Sequence, residues 1–118
     1  MNRYTTVFYK KADGEEPAKD FLLSLDYKMR AKMLRMLEML QLNGPALRLP
    51  YSEELEDGIF ELRTKVGSDI TRLLYFYDDG KLIILSNGFV KKSRKTPEQE
   101  KALAKKYRND YLARKEQT

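Results

Sequence analysis

Cysteine and histidine are both absent from the 118 residues of this chain, and each absence excludes a kind of chemistry. Without cysteine the chain has no disulfide and no thiolate. Without histidine it lacks the side chain that most often serves as general acid and base, and no cluster of metal-ligand type stands out in the sequence. We therefore expect no metal and no cofactor, so that proton transfer would fall to lysine, arginine, tyrosine or glutamate.

Long apolar runs are missing as well. No run approaches the length of a membrane span, and the start Met-Asn-Arg-Tyr has no signal-peptide core. We expect a cytoplasmic protein without membrane contact. The length, with 42% apolar and 35% charged residues, predicts one domain over residues 1–118, built on a single core.

The positive charge of the chain is concentrated at its end. Residues 91–118 hold ten Lys/Arg against four Asp/Glu, whereas residues 1–90 hold thirteen against fourteen, which together give the net charge of +5. This asymmetry suits a polyanionic partner, either nucleic acid or an acidic protein. A solvated helix rich in lysine explains the same composition equally well.

The first half of the chain predicts one strand and two helices. Residues Tyr4 to Tyr9 are rich in Thr, Val and aromatics, which is typical of a strand. Pro17 suits the first position of a short helix. Asp26 is the predicted N-cap of a second helix that runs to about Leu42 and buries apolar residues three and four positions apart.

The second half predicts an antiparallel meander after an acidic loop that ends at about Asp57. The three predicted strands are Ile59 to Val66, Ile70 to Tyr77 and Lys81 to about Val90, and Asp79-Gly80 is a strong hairpin signal between the last two.

A terminal helix is predicted from its start signal. Thr96 would be its N-cap, Pro97 its first residue and Gln99 the partner in a capping box. The helix has an apolar face and a cationic outer side, and we expect its tip to fray after about Ala113.

Two arginines stand among apolar residues of the predicted meander. Arg63 and Arg72 are separated by a tight turn, so they can lie close together across the hairpin. Two neighbouring guanidinium groups repel unless an anion joins them. Glu61 can supply that anion in a structural ion pair, and a phosphate bound by the guanidinium forks is the functional alternative.

A set of residues in this half resembles a known family. The segment Leu55-Glu56-Asp57-Gly58-Ile59-Phe60-Glu61-Leu62-Arg63 is followed by Arg72 with Tyr75, then Gly88-Phe89-Val90-Lys91-Lys92, then Lys95-Thr96-Pro97 with Glu100. In this order and spacing they are similar to the HigB-like, phage-derived branch of the RelE/ParE toxin superfamily.

The resemblance implies an α+β fold of RelE type. Two N-terminal helices would pack on a mainly antiparallel sheet that a C-terminal helix closes, in the order β-α-α-β-β-β-α. It also implies the toxin of a type II toxin–antitoxin pair, held by a small antitoxin that usually carries a helix-turn-helix. HigB and RelE relatives cleave messenger RNA on the ribosome without a metal, and ParE relatives act on DNA gyrase.

The residues at hand suggest how such cleavage would proceed. The RNA 2′-hydroxyl attacks the adjacent phosphorus, so the protein must move protons and stabilise the added negative charge. Our hypothesis is that Arg63 and Arg72 hold the phosphate while Lys91 or Lys92 supplies charge and a proton. Strand alternation sends these lysines to opposite faces, so we expect only one to act directly.

Two further roles follow from this hypothesis. Glu61 is the best-placed carboxylate for a general base, although a structural role suits it better. We expect Lys65, Arg94 and Lys95, with the outer lysines of the last helix, to bind RNA without sequence preference. Some members of the superfamily use a histidine at the site, which this chain lacks.

Two other functions are compatible with the same sequence. A gyrase-poisoning toxin would use the basic C-terminal helix to bind protein. A non-enzymatic module would act only with its antitoxin as a co-repressor, and would reach operator DNA only through the antitoxin, since the chain has no helix-turn-helix of its own.

Overall fold

Three α-helices and five strands make up the part of the chain that the computed structural model describes, residues 3–92 and 94–117. They are, in order, β1 (Thr5–Phe8), α1 (Pro17–Ser24), α2 (Tyr27–Asn43), β2 (Ser52–Glu56), β3 (Ile59–Val66), β4 (Asp69–Asp78), β5 (Leu82–Val90) and α3 (Glu98–Glu116). The predicted α+β class and its order of elements are confirmed, with one strand, β2, added.

The five strands pair in the order β1-β5-β4-β3-β2. The predicted meander is confirmed, because β3, β4 and β5 are antiparallel neighbours. β1 runs parallel to β5, with Thr5 opposite Leu82. Asp78 pairs with Leu82, so the predicted hairpin is present with three residues, 79–81, in its turn, and Asp79 and Gly80 both have positive φ there.

Helix α2 begins as its sequence predicts. Asp26 is the N-cap residue, and its side chain accepts a hydrogen bond of 3.0 Å from the backbone N–H of Met29. The apolar residues spaced three and four apart are buried against the sheet, among them Met33 and Leu40. Local capping and helical periodicity together account for this element.

The sheet separates two apolar cores, which corrects the expectation of a single core. On one face α1 and α2 cover Leu62 and Leu73. On the other face α3 covers Ile59, Leu74 and Phe76. Strands β3 and β4 are therefore buried on both sides, which explains why apolar residues occur on both faces of these strands.

Strand β2 lies where the sequence predicts a loop. Its five residues include three glutamates and show no apolar alternation, so strand periodicity gives no signal there. Its pairing with β3 places Ser52 opposite Leu62 and Glu53 opposite Glu61. Charged side chains are common on such edge strands because they discourage pairing with other chains.

Helix α3 differs from its prediction at both ends. Its N-cap residue is Pro97, and the Thr96 hydroxyl donates to Glu61 Oε1 at 2.5 Å, so the predicted capping box is wrong. The helix also continues to Glu116 instead of fraying after Ala113. Arg114, which binds the carbonyl of Lys10, helps to hold this last turn against the rest of the protein.

Gly44 supports a prediction about stability. It has a φ of 52°, and a Cβ at this position would overlap the ring of Tyr4. Gly67 has a φ of 62° with open space around it, so it is a matched control. We expect Gly44→Ala to lower the free energy of unfolding by about 1–3 kcal/mol more than Gly67→Ala, in urea unfolding followed by circular dichroism. Equal losses would show that backbone strain, and not the overlap, dominates.

Candidate functional site

The candidate site is built over a buried carboxylate, Glu61, whose side chain is 1% exposed. Its Oε1 accepts the hydrogen bond from Thr96, and its Oε2 lies 3.0 Å from Nε of Arg63 and 3.5 Å from Nε of Arg72. A buried carboxylate requires such partners because unpaired charge is costly away from water. The internal ion pair that the sequence suggests is therefore present, and it holds both arginines.

Strand register places like charges directly opposite each other on one face. Arg63 lies opposite Arg72, as the sequence predicts, and Glu53 lies opposite Glu61. Each pair alone would repel. Arg63 relieves both repulsions, since it forms ion pairs with Glu61 and with Glu53. The four charges sum to zero and form one network.

The two arginines differ in how far a ligand can reach them. The side chain of Arg63 is 26% exposed, whereas that of Arg72 is 9% exposed and donates to the carbonyl of Thr71 at 3.0 Å. Burial lowers the pKa of Arg72, with Glu61 acting in the opposite direction, and a guanidinium stays charged at any physiological pH. Arg63 is thus the more accessible guanidinium, with its Nε and one terminal nitrogen bound to Glu61 and Glu53, and Arg72 adds charge from beneath it.

A β-bulge decides which of the two candidate lysines joins the arginines. Leu74 pairs with Asn87, but the next residue of β4 pairs with Leu85, so Ser86 is an extra residue in β5. Leu85 packs towards α1 and α2, whereas the side chain of Asn87 binds α3. The bulge therefore turns Lys91 to the α3 face, where Glu61 and the arginines lie.

Lys91 is half-buried beside these arginines. Burial lowers the pKa of Lys91, and the nearby charges of Arg72 and Arg63 lower it further, against the opposite effect of Glu61. Lys92 is exposed and does not line the cleft. Of the two lysines, only Lys91 lies with the candidate site, and Ser93, which follows them, lies outside the described residues.

An open cleft of about 210 Å³ lies over this network. Five cations and three carboxylates line it, together with Leu55 and Thr96: Arg63, Lys91, Arg94, Lys95, Lys101, Glu53, Glu61 and Glu98. The excess of cations favours an anionic ligand. Lys65 does not line this cleft and belongs to a neighbouring one, of about 290 Å³, which Arg63 and Arg72 also line.

Sequence reasoning missed Glu53 and Thr96 as members of the site. Glu53 lies in the stretch predicted as loop, and its position opposite Glu61 depends on the unpredicted strand β2. Thr96 carries the signal of an N-cap, and only the packing of α3 against β3 brings its hydroxyl to Glu61. No local pattern identifies either contact.

Three lysines of α3 that the sequence suggested for RNA binding are engaged within the protein. Lys101 and Lys105 both bind Glu56, whose pKa these hydrogen bonds lower to about 2. Lys115 forms ion pairs with Asp78 and Asp79. These contacts tie α3 to the sheet and reduce the charge that it can offer to a polyanion.

Comparison of this chain with known protein families gives a match. The family described as phage-derived protein Gp49-like (DUF891) matches residues 20–109. The chain belongs to this family. Gp49-like proteins are a phage-derived, toxin-like family associated with RelE/HigB-like toxins. A comparison with curated proteins finds no match.

Residues 3–92 and 94–117 of this Gp49-like protein contain neither a metal-binding group of side chains nor a membrane-spanning helix. No group of three or more acidic side chains among them is arranged to hold a metal ion. No helix in the same ranges is long and apolar enough to cross a membrane.

Proposed function

We propose that this Gp49-like protein is a HigB-like toxin of a type II toxin–antitoxin pair that cleaves messenger RNA on the ribosome. The observation that carries the proposal is the placement of the Arg63 fork and the Lys91 ammonium beside one positively charged cleft. Membership of a toxin-like family also suggests an antitoxin partner. The cytoplasm, where ribosomes and messages are found, is the compartment that this function requires.

The proposed chemistry uses the nucleophile that RNA carries. The 2′-hydroxyl attacks the adjacent phosphorus, the 5′-oxygen leaves, and a cyclic phosphate is formed. Arg63 binds the phosphate oxygens, and Arg72 adds positive charge from below as negative charge develops. Lys91 donates the proton that the leaving oxygen needs. Glu61 is 1% exposed, so it positions the arginines, and the proton of the 2′-hydroxyl passes to solvent water in the open cleft.

A purified translation system tests this function directly. Messenger RNA is expected to be cut at defined codon positions when toxin and ribosomes are both present, and to stay intact when ribosomes are omitted. A gyrase supercoiling assay with the same protein covers the main alternative. Intact messages together with inhibited supercoiling would overturn the proposal in favour of gyrase poisoning.

Lys91 supports a prediction about pH. A lysine that donates a proton must be protonated, so its lowered pKa should make the cleavage rate decline at a pH below the ordinary lysine value of 10.5. Lys91→Arg keeps the positive charge but cannot release a proton in this range. We expect about a hundredfold lower rate and no alkaline decline in a single-turnover pH–rate profile.

Lys92→Arg is the matched control for this prediction, because Lys92 is the exposed neighbour outside the cleft. Its profile should superimpose on that of the wild type. An alkaline decline that persists unchanged in Lys91→Arg would assign the proton transfer to another group.

A further inference from the structure

A second basic surface lies on α2, away from the basic C-terminal segment. Residues 27–37 contain four Lys/Arg and no Asp/Glu. Lys28, Lys32 and Arg35 are exposed and stand four and three residues apart, so they share one side of the helix. On α3, by contrast, Lys101, Lys105 and Lys115 form ion pairs with carboxylates.

Three cations of α2 and the neighbouring Lys65 of β3 are not neutralised by carboxylates of the described chain. Lys28, Lys32, Arg35 and Lys65 form no ion pair with any carboxylate in residues 3–92 and 94–117. The Lys32 ammonium donates to the backbone carbonyl of Lys65 at 2.5 Å, which joins α2 to the end of β3. Their charge is therefore available to an external anion.

These residues line a groove that leads to the candidate site. The groove measures about 520 Å³, and Tyr27 lines it together with the four cations. It shares Lys32 and Lys65 with the adjoining cleft of about 290 Å³, which Arg63 also lines. Arg63 lines the site cleft as well, so each of the three depressions shares at least one lining residue with the next, from α2 to the site.

The lining of this path fits a single-stranded nucleic acid. No described carboxylate lines the groove on α2 or the cleft that adjoins it. Tyr27 is 77% exposed and lines the same groove as the cations. Cations that follow a phosphate backbone, with an aromatic ring on which a base can stack, are the common means of holding a single strand.

We propose that single-stranded RNA bound at the candidate site continues over this surface, the α2 track, formed by Tyr27, Lys28, Lys32, Arg35 and Lys65. The cations bind phosphates, and the Tyr27 ring stacks on a base. The proposal rests on the proposed function and adds a path for the substrate: the strand is held by α2 and not by α3.

A binding experiment with an RNA that cannot be cut tests the track separately from the chemistry. The probe is a single-stranded RNA of about 12 nucleotides with 2′-O-methyl groups, which removes the nucleophile. We expect the triple variant Lys28→Gln/Lys32→Gln/Arg35→Gln to bind at least about tenfold more weakly. The slope of log affinity against log salt should fall by roughly 2, because three phosphate contacts are lost.

The control removes the same charge from elsewhere on the protein. Arg3, Lys10 and Lys81 are exposed and do not line the path. Their triple substitution by glutamine should leave the affinity within about twofold of the wild type and the salt slope nearly unchanged. Thermal unfolding confirms that both triple variants are folded.

The stacking role of Tyr27 has its own test with the same probe. Tyr27→Ala is expected to weaken binding about tenfold, whereas Tyr27→Phe, which keeps the ring, should bind as the wild type does. Equal losses in both variants would overturn stacking and leave only a contact through the hydroxyl.

The outcomes separate this proposal from the proposed function. Loss of affinity in the α2 triple variant supports the track even if the wild type never cuts RNA, a result that would overturn the nuclease alone. An α2 triple variant that binds RNA as tightly as the wild type overturns the track. If that variant binds RNA normally but no longer binds the purified antitoxin, the α2 surface is an antitoxin-binding surface.

Discussion

Replacing Arg63 with alanine is expected to lower the rate of messenger RNA cleavage by about a thousandfold. Arg63 is the accessible guanidinium of the site, at 26% exposure, and its fork lies where a phosphate would enter the cleft. Its loss removes a preorganised cation from the point where the phosphate gains negative charge. Glu61 keeps Arg72 and Thr96 as partners, so the variant should remain folded.

The measurement is primer extension on messages from cells that briefly express the protein. Arg63→Lys keeps the charge without the bidentate fork and should give an intermediate rate. Arg3→Ala removes an exposed arginine outside the three clefts and should cut as the wild type does. Thermal unfolding of the purified variants identifies any loss that is due to misfolding.

Two results would contradict the assignment in different ways. Cuts that persist at full rate in Arg63→Ala would keep the nuclease and reject this site. Growth arrest with intact messages in the wild type would reject the nuclease itself. A gyrase poison should tolerate Arg63→Ala, because its action does not require a bound RNA phosphate.

Replacing Glu61 with glutamine is expected to lower the free energy of unfolding by about 3 kcal/mol. Glu61 is the buried anion between Arg63 and Arg72, which the sheet register holds directly opposite each other. Without this anion the two guanidinium groups repel, and the mostly buried Arg72 loses the ion pair that offsets its desolvation. Urea unfolding gives the free-energy difference.

Glu38→Gln is the control for this prediction, because Glu38 is an exposed glutamate of α2 and its change should stay within about 0.5 kcal/mol. Inorganic phosphate adds a second measurement. If the arginines in Glu61→Gln take up a replacement anion, phosphate should raise the stability of this variant more than that of the wild type. Unchanged stability of Glu61→Gln would show that the buried ion pair is not needed to hold the arginines.

The elements of the fold that depend on neighbouring residues could be predicted from the sequence. Asp26 caps α2 through a contact three residues away, and Asp79-Gly80 forms a turn that joins two adjacent strands. The tight turn between β3 and β4 also limits how Arg63 can pair, so its position opposite Arg72 could be predicted. In each case the information lies within about ten residues of chain.

The composition of the site could be predicted only in part, because several of its contacts join distant segments. Glu53 forms an ion pair with Arg63, but it lies on β2, a strand whose sequence shows no apolar alternation. Thr96 carries a capping signal but donates to a carboxylate 35 residues earlier in the chain. Ser86 creates a bulge that no local pattern announces, and that bulge selects Lys91 over its neighbour.

By itself, then, the sequence determined the α+β class, the meander, the α2 helix and the closeness of Arg63 to Arg72 across a hairpin, because short-range capping, turns and periodicity specify them. Only the tertiary structure decided which charges are available. The basic C-terminal helix binds carboxylates of β2 and of the β4–β5 turn, while the cations of α2 remain free of described carboxylates. The composition of the chain gives only the number of cations in each segment. Ion pairs form between residues that folding brings together, and these pairs determine which surface can bind a polyanion.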